Sequence, residues 1–333
     1  MNNNLNSSKI FDTKISVAPM LDWTDRHCRF FHRQLSSKAL LYTEMIVADA
    51  IIHGNRDNFL SFNIAEHPIA VQLGGSDPAK LAEATAIAFS YGYDEINLNV
   101  GCPSNRVQNG AFGACLMLNP DLVARCIKSM KDATKLPVTI KCRIAVDDQD
   151  PIKALDDLVE KAIDVGVDGF WVHARKAWLN GLSPKENRTI PPLDYKRVYV
   201  LKEKYPECYI GINGGIDSVD AAQQHLQYVD GVMIGREAYK NPLYLWKLHN
   251  SVYNDEEFSY DKLINTMCHY ADIHIANGGK LSHITRHMLG LFSGMKGART
   301  WRSILTSFST KRDASGEDLR IIFDKVRNLN YES

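Results

Sequence analysis

The sequence predicts an α/β fold, a TIM-type (β/α)8 barrel followed by a C-terminal all-helical domain of four helices. Three observations predict it: eight short apolar runs recur from Ile15 onward, helical patterns separate them, and the strand signal stops after Pro242. Near-continuous apolar strands suit a parallel sheet covered on both faces, and alternation with helices implies right-handed βαβ units. Eight such units close into a barrel.

The runs, in order, are ISVAPM from Ile15, ALLYTEM from Ala39, IAVQLGG from Ile69, EINLNVG from Glu95, PVTIKCRI from Pro137, GFWVHAR from Gly169, YIGINGGI from Tyr209 and GVMIGREA from Gly231. Helix starts carry a cap followed by proline, as in Ser76-Asp77-Pro78 and Asn119-Pro120. From about Tyr260 the text is helical only, with DKLINTMCHYADIHIANGG, SHITRHMLGLFSGM, ARTWRSILTSF and GEDLRIIFDKVRNL in succession. The division is expected at residue 250, with 1–250 forming the barrel and 251–333 the helical domain.

A chain of 333 residues exceeds the roughly 250 of a single barrel, which leaves room for such an appendage. Formal charge is zero, from 39 basic and 39 acidic residues, so any polyanion site must come from local clustering. Seven cysteines include no Cys-x-x-Cys pair, so neither a disulfide framework nor a zinc site is expected. The opening MNNNLNSSK lacks the apolar core of a signal peptide, and no run reaches the roughly 20 apolar residues of a membrane span. A cytoplasmic, monomeric chain with a frayed N-terminus is the expectation. Neither a Walker loop nor GxGxxG occurs, which disfavours a P-loop or Rossmann site.

In a parallel barrel the C-terminal strand ends hold the chemistry. The stretch EINLNVGCPSNRVQNGAFGACLM from Glu95 sets Asn99 and Cys102 at such an end, with Glu95 below them. Cys102 is therefore a candidate acid, nucleophile or ligand, against the commoner fate of a buried inert thiol. The two-residue strand period points Lys141 and Arg143 together into the mouth, where they require an anion or form a structural salt bridge. His173 adds a ring donor on the next strand. Asn213-Gly214-Gly215 and Gly235-Arg236 end the last two strands, where clustered glycines let backbone N–H groups approach a phosphate. Ala18-Pro19-Met20 could present backbone to a flat ring, and Gln72 places an amide where an apolar residue would be expected. A phosphate end, an amide-rich flat middle and an adjacent cation suit flavin mononucleotide.

At this point the motifs VAPMLDWTDRHCR, VQLGG, NLNVGCPSNRVQNGAFGACLM, HARKAWLNGLSPKENR, INGGI, GVMIGREAYKNP and HITRHMLGLF resemble the tRNA-dihydrouridine synthase family, in its A-type subfamily, over nearly the whole chain. The resemblance implies an FMN enzyme that uses NADPH to reduce the C5–C6 bond of uridine at D-loop positions 20 and 20a of tRNA. It would place FMN on Pro19, Met20, Leu21, Gln72, Lys141, His173, Asn213, Gly214, Gly215, Gly235 and Arg236. Cys102 would be the proton donor, and Asn99 and Arg143, with Lys141, would face the uracil edge. Thiols remain largely protonated at pH 7, which suits that donor role. Where the family usually has glycine after strand 5, this chain has Ala145; a requirement for positive φ there would cost roughly 1 kcal/mol.

A uracil must leave the stacked D-loop to be reduced, so a large RNA-holding surface is expected. From Lys280 to Arg312 the chain carries Lys280, Arg286, Lys296, Arg299, Arg302, Lys311 and Arg312 without a single carboxylate. Arg299 and Arg302 share a helical face beside Trp301 and are expected to touch tRNA. Lys185 and Arg188, in the loop after strand 6, are implied to help select the D-loop position. Two rival readings are a small-molecule flavoenzyme of the dihydropyrimidine or dihydroorotate type and a non-catalytic tRNA-binding protein.

Overall fold

The computed structural model describes residues 12–104, 112–254, 257–311 and 313–331. The N-terminal MNNNLNSSK, positions 105–111 of the cysteine motif and Arg312 of the basic run lie outside the described residues.

All eight expected strands form, and they close into one parallel barrel in sequence order. They are β1 (Ile15–Val17), β2 (Leu40–Val47), β3 (Ile69–Gly74), β4 (Glu95–Val100), β5 (Val138–Arg143), β6 (Gly169–His173), β7 (Tyr209–Asn213) and β8 (Gly231–Ile234). The helices are α1 (Arg26–Arg33), α2 (Ala48–His53), α3 (Arg56–Leu60), α4 (Pro78–Ser90), α5 (Pro120–Ala133), α6 (Pro151–Asp164), α7 (Tyr195–Lys204), α8 (Val219–His225), α9 (Arg236–Lys240), α10 (Leu243–Tyr253), α11 (Tyr260–Ala276), α12 (Leu281–Thr285), α13 (Ala298–Phe308) and α14 (Gly316–Tyr331). The expected caps are in place. Asp77 accepts from the N–H groups of Ala79 and Lys80 ahead of Pro78, and Asn119 accepts from Leu122 N–H ahead of Pro120. Each supplies a partner for helix-end donors that would otherwise have none.

Contacts group the chain into two units, one of Met1–Leu21 with Ala39–Gly235 and one of Asp22–Lys38 with Arg236–Ser333. The contact boundary thus falls after Gly235, ahead of residue 250, and the second unit also takes a segment from between β1 and β2. Within the first unit the barrel is filled at its base by Tyr42, Trp171 and Tyr209 with Ala18, Leu40, Ala70 and Met233. Glycine opposes two of the large rings: a Cβ at Gly211 would run into Trp171, and one at Gly231 into the Tyr209 hydroxyl. Large and small side chains interdigitate, so the barrel is a packed core below the mouth.

The second unit packs α11 and α13 on α14, and α1 on α12. Its early segment is fastened by aromatic contact, with Phe30 stacked on Tyr270 at 3.8 Å between centroids and Trp23 on Tyr239 at 4.4 Å. The second of the four expected helices is much shorter than its sequence pattern, because α12 ends at Thr285 and turns continue to Gly297. Glycines recur along these turns. Gly290 lies against the Lys240 carbonyl where no Cβ fits, and Gly294 and Gly297 take φ of 76° and 83°. Those conformations are outside the helix and suit glycine.

Candidate functional site

Strand register gathers the expected polar residues at one end of the barrel. Asn99 pairs with Lys141 across β4 and β5, Arg143 with His173 across β5 and β6, and His173 with Asn213 across β6 and β7. Gln72 pairs with Asn97 one strand earlier. The alternation of side chains along each strand sends these positions inward, as the period of two requires.

Cys102 lies just past β4, partly exposed and free of any disulfide. Its backbone is closely held. The Asn99 Oδ1 accepts from the N–H groups of Gly101 at 3.1 Å and Cys102 at 3.0 Å, while the Cys102 carbonyl accepts from Ala114 N–H at 2.9 Å. The thiol itself approaches the Ser104 hydroxyl at 3.6 Å. A short Asx-type loop therefore fixes where the sulfur starts.

Lys141 is half-buried by surface and donates to Asn213 Oδ1 at 3.2 Å, and the Asn213 amide donates in turn to the Met233 carbonyl at 2.7 Å. Burial pulls its ammonium down to about 8, with Arg143 acting in the same direction. Arg143 is buried and occupied with backbone: Nε donates to Gly101 O at 3.0 Å, and Nη1 to Lys176 O at 2.9 Å and Asn187 O at 3.0 Å. It thereby ties the cysteine loop to the loop after β6, and among the described contacts only Nη2 is left to turn to a base. Burial lowers its ionisation to about 10, against the favourable field of Cys102 and with Arg188 and Arg175 adding repulsion. The mouth is a cationic cluster around one thiol.

Ala145 carries no strain, since among the described residues the non-glycine positions of positive φ are Asp22, Asp147 and Asn254. The left-handed residue of this loop is Asp147, at φ 47°, held by Leu179 N–H to its carboxylate at 2.8 Å. The cost expected at Ala145 is absent, and the sharp turn falls two residues later.

At the ends of β7 and β8 the backbone is bare. Gly214 and Gly215 adopt φ of 115° and 70°. A Cβ at Gly214 would lie 3.2 Å from His173 Nε2, and one at Gly215 would lie 2.7 Å from Leu193 Cδ1. A Cβ at Gly235 would lie 3.9 Å from Ala18 and Met20, beside the turn where Pro19 is half-buried and Leu21 is 64% exposed. Side-chain-free backbone beside a desolvated lysine and an imidazole fits a phosphorylated, flat cofactor. Gly235 closes the first unit, and Arg236 opens α9 in the second.

The sequence singles out Lys185 and Arg188, and both are exposed. It gives no hint of Asn187 between them. That side chain is fully buried; its amide donates to the carbonyls of Trp178 at 2.8 Å and Leu182 at 3.2 Å, and its oxygen accepts from Trp178 N–H at 2.7 Å. Asn187 is the peg around which the loop after β6 winds. Its only sequence signal is a small amide between two charged residues, which any solvated turn also shows.

In the helical unit, Arg299 and Arg302 are exposed on α13, and Lys280, Arg286, Lys296 and Lys311 also reach solvent. Trp301 is buried and donates to the Met288 carbonyl at 2.8 Å, so it anchors α13 from beneath. One group of the same unit was not foreseen: His27, His274 and His283 bring one ring nitrogen each within 4.8 Å of one another. The members are engaged with hydrogen-bond partners, His274 Nε2 with His283 Nδ1 at 3.1 Å and His27 Nδ1 with the Tyr270 hydroxyl at 2.9 Å. Cysteine spacing could not have revealed it.

Comparison with known proteins finds one family. The family model described as dihydrouridine synthase matches residues 16–327. A tRNA-dihydrouridine(20/20a) synthase of Shewanella oneidensis is 52% identical over 329 residues, covering 98% of this chain and 98% of its own length. The protein of that name from Escherichia coli strain K12 is 53% identical over 312 residues, covering 93% of this chain and 89% of itself. Its counterpart in Vibrio vulnificus is 52% identical over 316 residues, covering 94% and 97%.

Proposed function

Because the chain belongs to the dihydrouridine synthase family, we propose that it is a tRNA-dihydrouridine(20/20a) synthase that reduces the C5–C6 bond of D-loop uridines with FMN as bound cofactor and NADPH as reductant. The observation that carries this reading is the convergence of one held thiol, one desolvated lysine and side-chain-free phosphate loops on a single barrel mouth. When bound, FMN supplies the hydride that uracil receives at C6.

Gly214, Gly215, Gly235 and Arg236 would take the cofactor phosphate, with Asn213 and His173 beside it. Pro19, Met20 and Leu21 would back the ring, and Gln72 would hydrogen-bond its polar edge. Lys141 would face negative charge on that ring; burial makes its field strong because little water screens it. Hydride arrival at C6 leaves negative charge on C5 and the C4 oxygen, and Cys102 donates the proton to C5. Lys141 and Arg143 would then face the thiolate left behind. Asn99 and Arg143 would meet the uracil edge, Asn99 while holding the cysteine loop.

The barrel unit would thus bind cofactor and uracil, while Arg299 and Arg302 of the helical unit, with Lys185 and Arg188 of the barrel unit, would contact tRNA phosphates. A cytoplasmic location suits that substrate; among the described residues no helix is long and apolar enough to cross a membrane. The test is dihydrouridine mapping in tRNA from a strain lacking this gene, with and without it restored. Loss at positions 20 and 20a, recovered on restoration, is expected; an unchanged map would refute the proposal.

A further inference from the structure

The cysteine loop is the end of a longer buried chain. Glu95 sits inside the barrel at 4% exposure, and its Oε1 accepts from the Tyr42 hydroxyl of β2 and from the Thr139 hydroxyl of β5, the latter at 2.5 Å. Thr139 Oγ1 accepts from Asn97 Nδ2 at 2.7 Å, Asn97 Oδ1 from Gln72 Nε2 at 2.8 Å, and Gln72 Oε1 from Asn99 Nδ2 at 2.8 Å. Asn99 Oδ1 then receives the Gly101 and Cys102 N–H groups. Every link between Glu95 and Asn99 is buried.

Hydroxyls and carboxamides can be turned either way round, but an ionised carboxylate can only accept. With the carboxylate at one end, each donor along the chain must point towards Glu95. The only arrangement left for Asn99 turns its oxygen to the loop, where two N–H donors wait. Reversed, the chain would set the Asn99 amide N–H₂ against those same donors, which would leave the loop without its acceptor.

Stability does not explain an acid here. Among the described residues no cation pairs with Glu95. The titratable groups that face it are Tyr42 from β2, behind which lies Tyr209 of β7, and more distantly Asp94 and Asp168 at the feet of β4 and β6. Those two carboxylates are held by His67 and Lys131, each at 2.6 Å. Burial raises the Glu95 carboxyl to about 7. A carboxyl raised in the fold is most stabilising while protonated, and its ionisation weakens the fold as pH rises through that value, so a residue selected for packing alone would be neutral.

We propose that ionised Glu95 is a positioning residue for Cys102: it sets the direction of the hydrogen-bond chain through Thr139, Asn97, Gln72 and Asn99, and so aims the proton donor. This deepens the uridine-reductase reading of the site and rests on it. Glu95 touches neither substrate nor cofactor.

The experiment compares wild type, Glu95→Gln and Thr139→Val as flavin-loaded enzymes. Glu95→Gln keeps shape but no longer dictates direction; Thr139→Val keeps the carboxylate and cuts the chain. Both are expected to retain flavin content, the rate of flavin reduction by NADPH and the KM for tRNA. Oxidation of the reduced enzyme by tRNA should slow by about ten-fold or more in both. In wild type that step should quicken as pH rises through the neutral range, and Glu95→Gln should lose this limb. Iodoacetamide labelling of Cys102, read against Cys115 without tRNA, should show the same loss of pH dependence in Glu95→Gln. Wild-type rates and pH profiles in both variants would overturn the proposal. Should wild type form no dihydrouridine in unmodified tRNA, the uridine-reductase reading fails instead, and an unchanged Cys102 labelling profile would still sink the role of Glu95.

Discussion

In the proposed mechanism Cys102 and Lys141 have different tasks, and each makes a separable prediction. Replacing Cys102 by alanine removes the proton for C5 but touches none of the groups proposed to hold cofactor, so flavin content and NADPH oxidation should persist. Dihydrouridine formation should fall by about 100-fold or more, the usual worth of a positioned acid; unchanged product yield measured on transcribed tRNA would remove Cys102 from the mechanism. For Lys141, burial lowers the ammonium to about 8, so in the free protein its charge is present below that pH and lost above it. An anionic or electron-rich ligand favours the charged form. FMN affinity of the apoprotein should therefore be greatest below about pH 8 and decline as pH rises through it, by up to about ten-fold per pH unit. Fluorescence titration across this range should show that decline in wild type and a weak, flat profile in Lys141→Met.

At the scale of elements, the proposed site depends on the glycine turn after β7 and on how two loops are tied. Gly215 has φ of 70° with Leu193 Cδ1 2.7 Å from where its Cβ would be. Gly215→Ala should fold, since the strain is of order 1–3 kcal/mol, but should purify with little flavin because the backbone must shift where the phosphate would lie. Full flavin occupancy in that variant, read from the absorption spectrum, would move the phosphate site elsewhere. The tie between loops is Arg143, whose inward direction the strand period foretold. That its Nε and Nη1 would be taken by the carbonyls of Gly101, Lys176 and Asn187 was not foretold, because backbone carbonyls leave no mark in a sequence.

Over the whole molecule, a neutral net charge hides a one-sided surface: the described cations from Lys280 to Lys311 all reach solvent in the helical unit, with no carboxylate among them. Phosphate contacts release counterions, so tRNA binding should weaken steeply with salt. Replacing Arg299 and Arg302 together by alanine should raise the KM for tRNA, reduce the salt slope by about two, and leave flavin content normal. Identical kinetics at all salt concentrations would show that α13 does not meet tRNA.

The barrel and the inward-facing strand positions at its mouth were legible in the order of the letters alone. Strands buried on both faces must be apolar throughout, so eight of them stand out in the text, and the period of two then names the inward residues, Glu95, Asn97 and Asn99 among them. Cap and proline signals placed α4 and α5 because helix-end donors are satisfied locally. Features that depend on partners far apart in the chain emerge only once it is folded. Asp22–Lys38 joins the helical unit because Phe30 and Trp23 find Tyr270 and Tyr239 more than two hundred positions away. The second C-terminal helix stops at Thr285, and the turns that follow bring Gly290 under a carbonyl of another element. Asn187 and the line from Glu95 to Cys102 join residues whose separate letters look unremarkable. Hydrogen-bond direction is a property of the closed barrel, in which Asn97, Gln72 and Asn99 line up between Glu95 and the cysteine loop.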